Sequence, residues 1–269
     1  MNAPGLAESL LRRDRIIVFG LIGVLFMLAG IYTVYGVGMR MTALDMTAMR
    51  GMRDMPGPNA PGNWSLAYAL LVFLMWWVMM TAMMLPSVSP TVLLYAALLR
   101  RGSKAVRVPA ISTAFLTGYL AAWAGFSAIA AGLQWALEAL GIVSATMMTL
   151  IQTVPGALVL IAAGVFQFTP LKQACLRHCR SPVEFITQRR RAGTSGALAM
   201  GIEHGVYCLG CCWFLMALLF VGGIMNLYWI VGLAAFVAIE KLVPHGHLLS
   251  KIAGTGLILW GGVVLWYAL

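Results

Sequence analysis

Long apolar runs separated by short polar segments dominate the chain. Seven such runs lie at roughly residues 16–35, 66–86, 109–133, 151–168, 197–221, 225–242 and 249–268. A helix needs about 20 residues to cross the hydrocarbon core of a bilayer. Each run is close to that length, although the fourth and sixth are short. The pattern predicts an all-α polytopic transmembrane bundle of about seven helices, forming a single membrane domain over residues 1–269. Two segments stand apart: 36–65 reads as an outer, methionine-rich loop, and 169–196 as a basic cytoplasmic loop. Pro86 and Pro90 are expected to break or kink the second helix near its cytoplasmic end.

Composition supports this class. The 269 residues are 61% hydrophobic and 10% charged, with mean hydropathy +0.90. A soluble domain of this size carries about a quarter of its residues as charges. The net charge of +10 does not imply a nucleic-acid partner, because the basic residues cluster in short segments between apolar runs. Of the 18 Lys and Arg, all but Arg40, Arg50 and Arg53 fall on one side of an alternating seven-helix arrangement. The positive-inside rule then places the N-terminus in the cytoplasm and the C-terminus outside, in a bacterial cytoplasmic (inner) membrane. Arg12, Arg13 and Arg15 precede the first run without a small-residue cleavage site, so that run reads as a membrane helix. A retinal protein would need a lysine midway along the last helix, whereas Lys251 stands at its start.

The fifth run carries the strongest chemical signal, GIEHGVYCLGCCW. Ionisable groups at membrane depth are costly and usually face the protein interior for a functional reason. At about 100° per residue, Met200, His204, Cys208, Cys211 and Cys212 form one stripe of soft metal ligands, with Glu203 at its edge. Cys208 lies ~16 Å along a helix begun near residue 197, close to the bilayer middle. Met200 to Cys212 spans ~18 Å, too far for one ion, so the stripe offers at least two low-coordinate positions. Low coordination by sulfur and nitrogen suits Cu(I). The bland alternative, thiols buried as small apolar groups, leaves Glu203 and His204 unexplained. Gly201, Gly205 and Gly210 read as small residues for helix packing.

Other soft ligands flank this stripe. Met46, Met49, Met52 and Met55 recur every third residue in the outer loop, near Met39 and Met41. Thioethers remain usable where free thiols would oxidise, and they select Cu(I) over hard ions. The second run lines one helix face with Met75, Met79 and Met83, joined by Met80 and Met84. A methionine stripe is often plain packing. After the fourth run, PLKQACLRHCRSP holds Cys175, His178 and Cys179 at helical spacing, a two- or three-ligand site at the cytoplasmic face. The spacing is not that of a structural zinc site. Glu240-Lys241 reads as an ion pair or an inner-face gate, and His245 and His247 as a short-loop histidine pair.

The blocks WWVMMTAMMLPSVSP, QFTPLKQACLRHCRSP and GIEHGVYCLGCCWFLMALLFVGGIMNLYW, with the closing Glu240-Lys241, carry a resemblance over roughly residues 65–242. They resemble a bacterial domain-of-unknown-function family of predicted metal-binding integral membrane proteins. That family includes membrane copper chaperones for copper oxidases such as tyrosinase. The resemblance implies metal-associated roles for Met83, Met84, Cys175, Cys179, His204, Cys208, Cys211 and Cys212. The methionine loop lies outside the matching blocks and rests on chemistry alone.

The expected function is therefore that of a Cu(I)-binding membrane protein that relays or delivers copper, without being an enzyme. Its expected partners are the lipid bilayer and a cuproenzyme or copper carrier protein. No P-loop GxxxxGK[ST] is present to drive transport with nucleotide. The alternatives are a membrane thiol-disulfide oxidoreductase using Cys208-x-x-Cys211, or an assembly or scaffold subunit. A redox pair works through accessible, easily ionised thiols, a condition that burial opposes.

Overall fold

The structure, a computed structural model, describes residues 6–39, 41–54, 62–100, 108–244 and 246–269, with side chains from residue 16 onward. Met55 and His245 lie outside the described residues. The elements are α1 (Leu6–Tyr35), α2 (Ala43–Ala48), α3 (Leu66–Arg100), α4 (Val108–Ala139), α5 (Thr153–Phe166) and α6 (Pro170–Arg180). They continue with α7 (Pro182–Gln188), α8 (Gly193–Ala217), α9 (Leu219–Gly222), α10 (Leu227–Leu242) and α11 (Gly246–Trp266). Among the described residues the only strand-like pairing is an isolated bridge between Val143 and Leu150.

All seven apolar runs appear as helix, but two of them are not simple spans. Among the described residues five helices are long and apolar enough to cross a membrane: α1, α3, α4, α8 continued by α9, and α11. The bent pair α5 and α6 would make a sixth. With 16 residues, α10 falls short of the usual crossing length. Phe19, Leu28, Leu259 and Trp266 are exposed, an outer apolar surface of the kind that lipid covers.

The fourth run ends where local chemistry requires it. Thr169 is held extended ahead of Pro170, and its hydroxyl accepts a hydrogen bond from the Lys172 backbone amide at 3.3 Å. The chain turns by 63° there and continues as α6. The segment read as a basic loop at 169–196 is thus built as α6, α7 and the start of α8, with Lys172 fully buried. A second difference concerns α3, which does not stop at Pro86 or Pro90 but runs on to Arg100. Ser87 donates to the Met84 carbonyl at 2.9 Å and Ser89 to that of Leu85 at 2.5 Å. Hydroxyls of this kind satisfy backbone groups near a proline and let an apolar helix continue.

The segment read as an outer loop is also folded where it is described. Thr42 and Asp45 form a capping box that starts α2. The Asp45 carboxyl is held below the usual aspartate range by its hydrogen bonds from the Thr42 hydroxyl and backbone amide. Thr47 accepts from the Leu227 amide at 2.9 Å, and Ser144 donates to Asp54 at 2.9 Å, pinning the loop to two neighbours.

The interior is organised around α8, which packs chiefly on α4 and α6. α3 packs on α4, α1 and α10, and α5 on α11. The α4–α8 contact depends on glycine: a Cβ on Gly201 would collide with the Phe115 carbonyl oxygen, and one on Gly118 with that of Leu198. Small residues let backbones approach this closely, which dispersion and weak polar contacts reward in an apolar solvent.

Candidate metal centre

Five cysteines, all free thiols, come from α6 and α8. On α8 the residues Cys208, Cys211 and Cys212 are fully buried, as the stripe reading expected. The α6 helix lies against this face. A Cβ placed on Gly210 would meet the Cys175 sulfur at 2.5 Å, so the glycine makes room for α6. One turn on, Cys179 is close enough to Cys208 and Cys211 to interact with both. Cys212 is within similar reach of Cys208 and Cys211. Four thiols from two helices therefore share one buried centre, with Cys175 beside Cys211 at its edge.

The thiols are not drawn up as a cage. Cys211 and Cys212 both donate to the Cys208 carbonyl, at 3.0 and 2.9 Å. Among the described residues no group of three or more His, Cys, Asp or Glu side chains is poised to hold a metal ion. The geometry disfavours an ion that demands four ligands at once. It suits one satisfied by two sulfurs, because a rotation about χ1 or χ2 releases each thiol from the carbonyl.

Two side chains from other helices complete the centre. Lys241, near the end of α10, donates from Nζ to the Cys208 sulfur at 2.9 Å and interacts electrostatically with all four clustered thiols. Tyr119 of α4 places its hydroxyl 3.0 Å from the same sulfur. Sequence reasoning missed both. Lys241 offered a weak signal, a lysine inside an apolar run. Tyr119 offered none, because its role depends on which helix α8 packs against. The expected Glu240-Lys241 ion pair does not form, since consecutive helical residues point in different directions. Glu240 instead pairs with Lys172 at 2.8 Å, both fully buried, and accepts from the Ser250 hydroxyl.

His204 sits one turn before Cys208, enclosed by the rings of Phe115, Tyr119 and Phe185, with its buried Nδ1 lacking a hydrogen-bond partner. The remaining stripe residues have other partners. Glu203 pairs with Arg189 at 3.0 Å and Arg191 at 3.4 Å. The Met200 sulfur accepts from the Arg191 amide at 3.4 Å. His178 is stacked on Tyr207 with ring centres 4.1 Å apart, and its Nδ1 lies 3.0 Å from the Ala174 carbonyl oxygen.

The methionines occupy two further places. Met79, Met83 and Met84 are buried on α3, which reaches the site's neighbourhood through α4 and α10 rather than by packing along α8. In the outer segment Met46 is buried, Met49 half-buried and Met52 exposed. Met46 and Met52 line a cavity of about 220 Å³ together with Met147, Arg50, Arg53 and Asn226. The sequence reading had not brought Met147 into this group.

Apolar helices of crossing length around a buried thiol cluster define a polytopic helical membrane protein with a soft-ligand centre. Comparison with known families is more specific. The chain belongs to the PpoB2 copper chaperone family, whose model matches residues 73–264. That stretch contains α4 through α10 and with them every residue of the thiol centre. No curated protein and no solved structure matches the chain.

Proposed function

We propose that this protein is a membrane copper chaperone that holds Cu(I) at the thiol cluster and passes it to a copper-dependent partner protein. The convergence of Cys179 with Cys208, Cys211 and Cys212 carries this reading. Soft, low-coordinate sulfur is the chemistry Cu(I) prefers, and a site of several near-equivalent thiols binds without trapping. Exchange then proceeds by swapping one sulfur at a time, first within the cluster and then with an incoming ligand.

The other soft side chains are assigned supporting parts. Cys175 and His204 adjoin the cluster as secondary ligands, and the orphaned Nδ1 of His204 favours that role. Met46, Met49 and Met52 serve as an outer collecting surface, and the α3 methionines as weak intermediate positions. Seven crossings are proposed, with α5 and α6 as one broken span and α10 as a short one. The N-terminus is assigned to the cytoplasm of a bacterial inner membrane.

The test is direct. Detergent-purified protein loaded under reducing conditions is expected to retain Cu(I), and the Cys208→Ser, Cys211→Ser double variant to lose most of it. Equal copper content in the two proteins, both folded by circular dichroism, would reject the cluster as the binding site.

A further inference from the structure

The ammonium of Lys241 is buried, yet among the described residues no carboxylate lies within ion-pair distance of it. The adjacent Glu240 is committed elsewhere, to Lys172 and Ser250. The Lys241 ammonium donates to the sulfur of Cys208 and faces all four clustered thiols, with Tyr119 and His204 also near it. An isolated charge taken out of water is strongly disfavoured unless an opposite charge accompanies it. In the metal-free protein that opposite charge has no carboxylate source.

We infer that Lys241 is the built-in counter-charge for a copper(I) bis-thiolate, so that the cargo-loaded centre is electrically neutral. This rests on the reading of the thiol cluster as the copper site. Ligation by a thiol releases its proton, so Cu(I) held by two sulfurs is a monoanion. One ammonium balances it. A third or fourth thiolate would leave net negative charge in an apolar surround, so Lys241 limits the site to two sulfurs at a time. The unused thiols stay available for exchange. Lys241 is thus a positioning residue. It selects a soft monovalent ion in digonal coordination and keeps Cys208, its hydrogen-bond acceptor, as one of the two ligands.

The inference separates two quantities that an ordinary structural role would move together. Lys241→Met, which keeps the stem and removes the charge, is expected to raise the thermal stability of the metal-free protein. The same substitution is expected to weaken Cu(I) binding by roughly ten- to a hundredfold, as read by competition with a chromophoric Cu(I) chelator. Reduced metal-free stability or failure to fold would overturn the inference, because the ammonium would then be satisfied without copper. Unchanged affinity would overturn it as well. Failure of the unsubstituted protein to bind Cu(I) would instead reject the copper reading of the cluster itself.

Discussion

The sulfur of Cys208 has partners on two other helices, Lys241 and Tyr119, and its carbonyl takes both remaining α8 thiols. The Tyr119 hydroxyl acts differently from Lys241, since it brings a dipole rather than a charge. Removing a hydrogen bond to a group that becomes charged costs about 1.5–3 kcal/mol. Tyr119→Phe is therefore expected to fold normally and to lower Cu(I) affinity by roughly ten- to a hundredfold in a chelator competition. Affinity equal to the parent's would assign the ring to packing alone. The thiols were legible in the sequence because helical periodicity is local: Cys208, Cys211 and Cys212 fall on one face of any helix that contains them. Their partners were not legible, since Tyr119 and Lys241 lie 89 and 33 residues from Cys208 along the chain. Only tertiary packing brings them to it. Glu203 shows the converse: the period placed it at the stripe's edge, and the nearby Arg189 and Arg191 draw it away.

Among the elements, α6 decides whether a centre exists at all, because it brings Cys179 to the α8 thiols. Its start is held by the Lys172–Glu240 pair between α6 and α10. A buried pair contributes little net stability over a well-packed apolar substitute, yet breaking one side costs about 3–5 kcal/mol. Lys172→Met alone should therefore lower the thermal unfolding temperature in detergent sharply. The double variant Lys172→Met, Glu240→Gln should recover much of that loss. If the double variant is as unstable as the single, the pair's contribution is to shape rather than to charge balance. The end of the fourth apolar run near 168 was legible, and so was a helix after it from the cysteine spacing. The sequence did not announce that this helix would be buried. The segment's many basic residues resemble those of a solvated loop, and Lys172 could be recognised as interior only once Glu240 was seen beside it. Of the two expectations at the α3 prolines, a break or a kink, the break fails: proline ends helices in water, whereas Ser87 and Ser89 sustain this one.

At the scale of the molecule, helix lengths bear on orientation and on where the centre lies. α3 and α4 have 35 and 32 residues, against 16 in α10 and 21 in α11. At about 1.5 Å per residue the first two exceed a 30 Å hydrocarbon core by ~20 Å. Gly62 and Trp64 next to α3 contact the last turn of α4 at the methionine-loop end, and Arg100 closes the other end of α3. Cys208 bonds Lys241 of the short α10 and lies 15 residues from Gly193 and 14 from Gly222, midway along the span formed by α8 and α9. The proposed topology therefore sets the thiol centre near the middle of the span, ~20 Å from its outer end along α8 and α9. That separation needs intermediate positions if copper enters from outside, and the buried α3 methionines are the available ones. An odd number of crossings with the basic segments inside puts Leu269 outside the membrane. Alkaline phosphatase, active only outside the cytoplasm, is expected to be active when fused after Leu269 and inactive when fused within the basic segment between α7 and α8. Activity of both fusions, or of neither, would rule out seven crossings. It would leave the short α10 as a re-entrant element, since only α8–α9, α10 and α11 lie between the two fusion points.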